Sequence, residues 1–281
     1  MPKTIVHAPL LDSDDLEILS ASIPGKIYHR DNYYSIEHDV ILSRVALTQL
    51  REKLSVDINR VPDTFNPDQI ALVITDMDST LISIECVDEI ADFLNIKDKV
   101  SEITESAMRG EIDFNTSLKK RVTLLKGLGY DVLNKVYQER LTLNPGAEQL
   151  ISGMRARGVK TALVSGGFTY FTDRLKERLK LDFTLSNKLE IVDDKLTGNV
   201  LGDIVNGDVK AAFLQQLAYD LNINVNQAIA VGDGANDLPM LSLSGLGVAY
   251  RAKPVVQQQA DVVLNYSGLD AILDFLDVDK H

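Results

Sequence analysis

The stretch ALVITDMDST, residues 71–80, is an apolar run that ends in two carboxylates, Asp76 and Asp78, one residue apart. Apolar residues without alternation read as a strand buried on both faces, the kind found in parallel sheets. Ligands of open α/β sheets bind beyond the carboxyl ends of such strands, so the pair stands where chemistry is expected. One intervening residue lets the first carboxylate face a reaction centre while the second reaches across the substrate. Taken alone, the stretch also fits a strand-end turn with two solvated aspartates.

Three further signals share that pattern. AIAV, residues 228–231, runs into Gly232-Asp233-Gly234-Ala235-Asn236-Asp237, where glycines permit a tight path and three polar side chains converge. Magnesium takes octahedral oxygen ligands, commonly one or two carboxylates, and Asp76 with Asp233 supplies two. The run 161–164 leads into Ser165-Gly166-Gly167, whose hydroxyl and amides suit phosphate oxygens near a helix N-terminus. An ordinary strand-to-helix turn has the same letters. Lys210 falls in the first turn of an expected helix, where a cation does not complement the macrodipole; it is either a solvated lysine or one that offsets phosphate charge.

Composition narrows the chemistry. The 281 residues are 45% apolar and 25% charged, as in ordinary globular chains, with a formal net charge of −12. That charge disfavours nucleic acid and anionic membrane surfaces, so neither is an expected partner, and it requires any phosphate site to be made positive locally. No apolar run reaches the ~20 residues of a spanning helix, no signal peptide is evident, and the single Cys86 fits a reducing compartment; a cytoplasmic location is expected. Histidine is absent from Asp39 to Lys280, which leaves Ser–His–Asp and Cys–His mechanisms without parts in the main body.

The Pro-containing segment 61–69 is the expected domain boundary. Before it the pattern reads strand 3–7, helix 14–21, strand 26–30, strand 33–38, helix 41–54, strand 56–61, a ferredoxin-like βαββαβ order. After it, strands at 70–75, 161–164, 228–231, 247–249 and 262–264 alternate with helices at 149–157, 170–179, 209–221 and 269–276, an α/β pattern with a mainly parallel sheet. A helix-rich insertion without strands fills 86–143, and a hairpin with Asp193-Asp194 at its tip is expected within 189–205.

Together the four motifs resemble the haloacid dehalogenase-like phosphatase superfamily over about residues 70–265. That resemblance implies a Rossmann-like parallel sheet with Asp76 as nucleophile forming an aspartyl-phosphate and Asp78 as acid/base. It further implies Mg²⁺ held by Asp76, Asp233 and the backbone carbonyl of Asp78. Ser165, Gly166, Lys210 and Asn236 would bind phosphate, and Asp237 would complete the surroundings. The insertion at 86–143 matches a helical cap, and DMDSTLISIECVDEIA (76–91), MRGEIDF (108–114) and SLKKRVTLLKGL (117–128) resemble the branch that acts on phosphoserine in serine biosynthesis. On that likeness Glu85 would face the substrate ammonium, Arg121 its carboxylate, and Met108 with Phe114 would line the pocket. Transfer to another alcohol such as homoserine, or non-catalytic sensing of a phospho-amino acid, uses the same residues. Residues 66–281 are thus expected to form the phosphatase domain. Residues 1–65 resemble an ACT-like module, for which support or homodimer pairing is as fitting a role as regulation.

Overall fold

The computed structural model describes residues 2–8, 10–108 and 111–277, the side chain of Met108 excepted. The N-terminal part is β1 (Lys3–His7), α1 (Ser13–Ser22), β2 (Gly25–His29), β3 (Tyr34–His38), α2 (Arg44–Leu54) and β4 (Asp57–Arg60). Its four strands form an antiparallel sheet in the order β2-β3-β1-β4, the βαββαβ arrangement expected from the sequence. Asp12 and Ser43 cap the two helices through their side chains. Val6, Leu19, Ile36, Leu50 and Ile58 make a small core between sheet and helices.

A second sheet of seven strands has the order β11-β10-β9-β5-β6-β7-β8. Here β5 is Leu72–Thr75, β6 Lys160–Phe168, β7 Phe183–Val192, β8 Lys195–Leu201, β9 Ala228–Gly232, β10 Leu246–Tyr250 and β11 Val262–Leu264. All neighbouring pairs are parallel except β7–β8. The cap holds α3 (Cys86–Asp92), α4 (Lys97–Met108), α5 (Phe114–Leu124) and α6 (Asp131–Lys135); α7 (Ala147–Ala156), α8 (Thr169–Leu179), α9 (Gly207–Asp220) and α10 (Leu238–Leu243) cover the sheet. Both faces of β5 are buried, which is why its letters show no alternation.

Three details differ from the sequence reading. β6 runs on through Ser165-Gly166-Gly167 to Phe168 instead of stopping at Val164, because Phe168 pairs with Asn187 beyond a register shift. The strand β7 starts at Phe183, before the expected hairpin, and the segment Leu269–Leu276 winds as a 3₁₀ helix. The hairpin tip is as expected, with Asp193 and Asp194 both at positive φ.

The modules are tied to their neighbours by backbone and by buried polar groups. At the rim of the large sheet, the Asn59 side chain accepts from Val263 N–H at 2.8 Å and donates to Val263 C=O at 2.9 Å, so it pairs with β11 as a further strand would. Asp57 accepts from the backbone N–H groups of Asn265, Tyr266 and Ser267. The far end of α5 is joined to the hairpin by Gly127 N–H to Leu196 C=O (2.8 Å), Leu196 N–H to Leu128 C=O (2.9 Å) and Tyr130 N–H to Asp194 C=O (2.9 Å).

Candidate active site

The chain leaves β5 still in register, with Asp76 N–H donating to Val231 C=O of β9 at 2.9 Å, and then turns sharply over Met77–Leu81. Ser79 takes φ 55° in that turn. The turn is pinned from below by Asn144, whose side-chain amide donates to the carbonyls of Thr80 at 2.8 Å and Ile82 at 3.0 Å. Such bracing fixes the direction in which the two carboxylates leave the sheet edge.

Lys210, fully buried on α9, reaches Asp76 Oδ2 at 2.8 Å and Asp237 Oδ1 at 2.7 Å. Asp237 also accepts from the N–H groups of Asp233 (3.1 Å) and Gly234 (3.0 Å), and Thr80 donates to Asp233 Oδ1 at 2.9 Å. Carboxylate oxygens of Asp76, Asp233 and Asp237 lie within 4.8 Å of one another. Three clustered carboxylates with one ammonium leave an excess of negative charge in a poorly solvated place. Burial, then Asp237, pushes the Asp76 carboxyl up against the opposing pull of Lys210, and burial with Asp237 raises Asp233 to about 7. A hard divalent cation removes that imbalance, and an all-oxygen donor set is the kind such a cation takes, so the residues present fit a metal ion.

Asp78 Oδ1 accepts from Cys86 N–H at 2.9 Å, and burial favours the protonated form of its carboxyl. A residue larger than glycine at 167 would put its Cβ 2.6 Å from Met77 Cε and 2.7 Å from Asp78 Oδ2. Gly167 is therefore what lets the strand that carries Ser165 close on Asp78, and Ser165 Oγ accepts from Gly167 N–H at 2.8 Å. The thiol of Cys86 is pushed well up by burial and by Asp78, which disqualifies it as a nucleophile at neutral pH.

The cap closes the other side. Phe114 lies against Gly166, where a Cβ would meet its Cζ at 2.6 Å. Asn206, the N-cap of α9, donates to Asn115 Oδ1 at 3.2 Å and so links the start of α5 to the helix of Lys210. Arg121, only 7% exposed, lies within the electrostatic reach of Glu85, Asp88 and Asp78. Glu85 accepts from Ser79 Oγ at 2.7 Å; solvent reaches its side chain, while desolvation on its protein side and then Asp78 push its carboxyl up.

Asp76, Asp78, Ser165, Gly166, Lys210 and Asp233 thus share the carboxyl edge of the sheet, and Glu85, Phe114 and Arg121 face them from the cap. Asn236 is half-buried in the turn Ala235–Asp237, its carbonyl against Gly207 at the start of α9. The side chain of Met108 lies outside the described residues. Sequence reasoning passed over Thr80, Asn144 and Asn206. Thr80 stood inside the quoted motif, whereas nothing in the letters around Asn144 or Asn206 marks them.

This fold and this edge define a class. Residues 70–245 match the haloacid dehalogenase-like hydrolases, and the chain belongs to that family. Among curated relatives it is 52% identical to the phosphoserine phosphatase of Polaromonas sp. (strain JS666) over 210 residues, 73% of this chain and 89% of that protein. It is 45% identical to the phosphoserine phosphatase of Vibrio cholerae over 246 residues, 88% of this chain and 72% of that one. The crystal structure of a HAD family hydrolase from Salmonella enterica serovar Typhi superposes with a TM-score of 0.90 at 35% identity, covering 100% of this chain and 99% of the other.

Proposed function

We propose that the chain hydrolyses O-phospho-L-serine to L-serine and phosphate, with Mg²⁺ as cofactor. The observation that carries this reading is a two-ended arrangement about Asp78, with Asp76 on Lys210 at one end and Arg121 near Glu85 at the other. The first end suits a phosphate, the second an amino acid's carboxylate and ammonium. Relatives named phosphoserine phosphatase support the same substrate.

In this reading Asp76 attacks phosphorus in line and the seryl oxygen leaves. Asp78, held by Cys86 N–H, gives that oxygen its proton. Asp78 then takes a proton from water, which attacks the aspartyl-phosphate, releases phosphate and restores Asp76. Lys210, the Ser165 hydroxyl and the amide of Gly166 hold the equatorial oxygens, with Asn236 beside them. Asp76, Asp233 and the backbone carbonyl of Asp78 would hold magnesium, with Asp237 beside them; when bound it neutralises phosphoryl charge. Phe114 and Met108 would line the short side-chain pocket. Residues 1–65 form a regulatory or homodimer-pairing module, residues 66–281 the phosphatase domain, and the lone buried Cys86 fits the cytoplasm.

Phosphate and serine release from phosphoserine, with Mg²⁺ and with chelator, tests the reading. Metal-dependent, equimolar release is expected, and Asp76→Asn should reduce it by at least about a thousandfold without lowering the melting temperature. Phosphohomoserine formed on adding homoserine, without free phosphate, would replace hydrolysis by transfer. No metal-dependent release from phosphoserine overturns the substrate.

A further inference from the structure

Seven buried side-chain polar atoms have no hydrogen-bond partner among the described residues, and three fall on two adjoining cap helices: Asp88 Oδ1 on α3, and Ser117 Oγ and Arg121 Nε on α5. Unsatisfied buried polar atoms are costly, and three in one small interface point to a partner that the folded chain is built to receive. Ser117 and Arg121 are four residues apart and share a face of α5 with Phe114, which touches Gly166. Asp88 stands one turn beyond Glu85 on α3.

Three carboxylates act on Arg121: Glu85, Asp88 and Asp78. Two are engaged elsewhere, Glu85 by Ser79 Oγ and Asp78 by Cys86 N–H. Lys97, the other cation that acts on Asp88, is bound to Glu89 at 2.7 Å. Asp88 therefore keeps a buried oxygen uncommitted, and Arg121 keeps a buried Nε–H. A guanidinium grips a carboxylate well only when its plane is fixed, and fixing it needs an acceptor on the side away from the ligand.

We propose that Asp88 is a positioning residue for Arg121, receiving its Nε–H through a water held by Ser117 Oγ and so turning its terminal nitrogens to a substrate carboxylate. This rests on the phosphoserine reading above. The competing role for an acidic residue in the first turn of α3 is interaction with the helix dipole, which stabilises the cap for every substrate alike.

The test compares full-length protein and Asp88→Asn, with Mg²⁺, on phosphoserine and on phosphoethanolamine, which keeps phosphate and ammonium but lacks the carboxylate. The expected result is a KM for phosphoserine raised about tenfold, kcat within about twofold, and unchanged kcat/KM for phosphoethanolamine. In an Arg121→Ala background Asp88→Asn should add nothing further. Equal losses on both substrates, additive losses with Arg121→Ala, or no change at all would overturn the assignment. If Asp88→Asn does not fold, Ser117→Ala decides: a raised KM for phosphoserine alone supports the arrangement, and an unchanged KM overturns it. Wild-type protein that leaves phosphoserine intact sinks the function and this inference together. Turnover by the wild type with an unchanged substrate ratio in the variant sinks only the role of Asp88.

Discussion

Asp233 carries a pKa raised to about 7 in the metal-free chain. In the unfolded chain it titrates near the ordinary carboxylate value of about 4. Between about 4 and 7 the native state therefore binds more protons than the unfolded one, so stability falls as pH rises through that window. The chelated protein should melt at a higher temperature at pH 5.5 than at pH 8. Magnesium should restore the melting temperature chiefly at pH 8, because it binds the ionised cluster and offsets the charge that burial resists. A melting temperature of chelated protein that rises with pH would mean the cluster is better compensated than its one ammonium allows. Lys210 takes no part in this titration, since Asp237 and Asp76 hold it protonated.

Individual elements differed in how far their letters betrayed them. β5 was readable because a short run buried on both faces must be apolar throughout, and its end had to be the sheet edge. The motif residues after β5, β6 and β9 could be placed together because parallel strands present their carboxyl ends on one side. The continuation of β6 through two glycines was not readable: it depends on pairing with β7 across a register shift that local letters do not encode. Nor did the letters disclose that Asp237 would be fully buried on Lys210, since a carboxylate in a Gly-rich turn ordinarily faces water. The bracing role of Asn144 is likewise a product of tertiary contact. The hairpin tip was legible, and it carries a prediction. Asp193 and Asp194 both adopt φ above 50°, a path that suits Asp-Gly better than Asp-Asp. Asp194→Gly should stabilise the protein by about 0.5–1 kcal/mol in urea denaturation without changing turnover.

At the scale of the molecule, the two sheets are coupled by side chains that imitate backbone. Asn59 satisfies both hydrogen-bonding groups of Val263, and Arg51 in turn donates to Asn59 Oδ1 at 2.8 Å. Asn59→Ala leaves these buried groups unpaired and should cost about 2 kcal/mol of unfolding free energy, measured by urea denaturation, with KM for phosphoserine unaffected. A loss of turnover with intact stability would show instead that the N-terminal module reaches into the chemistry.

The cap is attached unequally around its perimeter. Along the hairpin it is sewn down by main-chain bonds that close only in one register, while beside Phe114 it rests on ring packing and one amide-to-amide contact. The two margins therefore differ in kind: main-chain bonds set the hairpin side, whereas the side over Gly166 is held by side chains that single substitutions can remove. Within the site Asp76, Ser165 and Lys210 are buried while Glu85 is exposed, so the end that takes the phosphate lies deeper than the end that takes the ammonium.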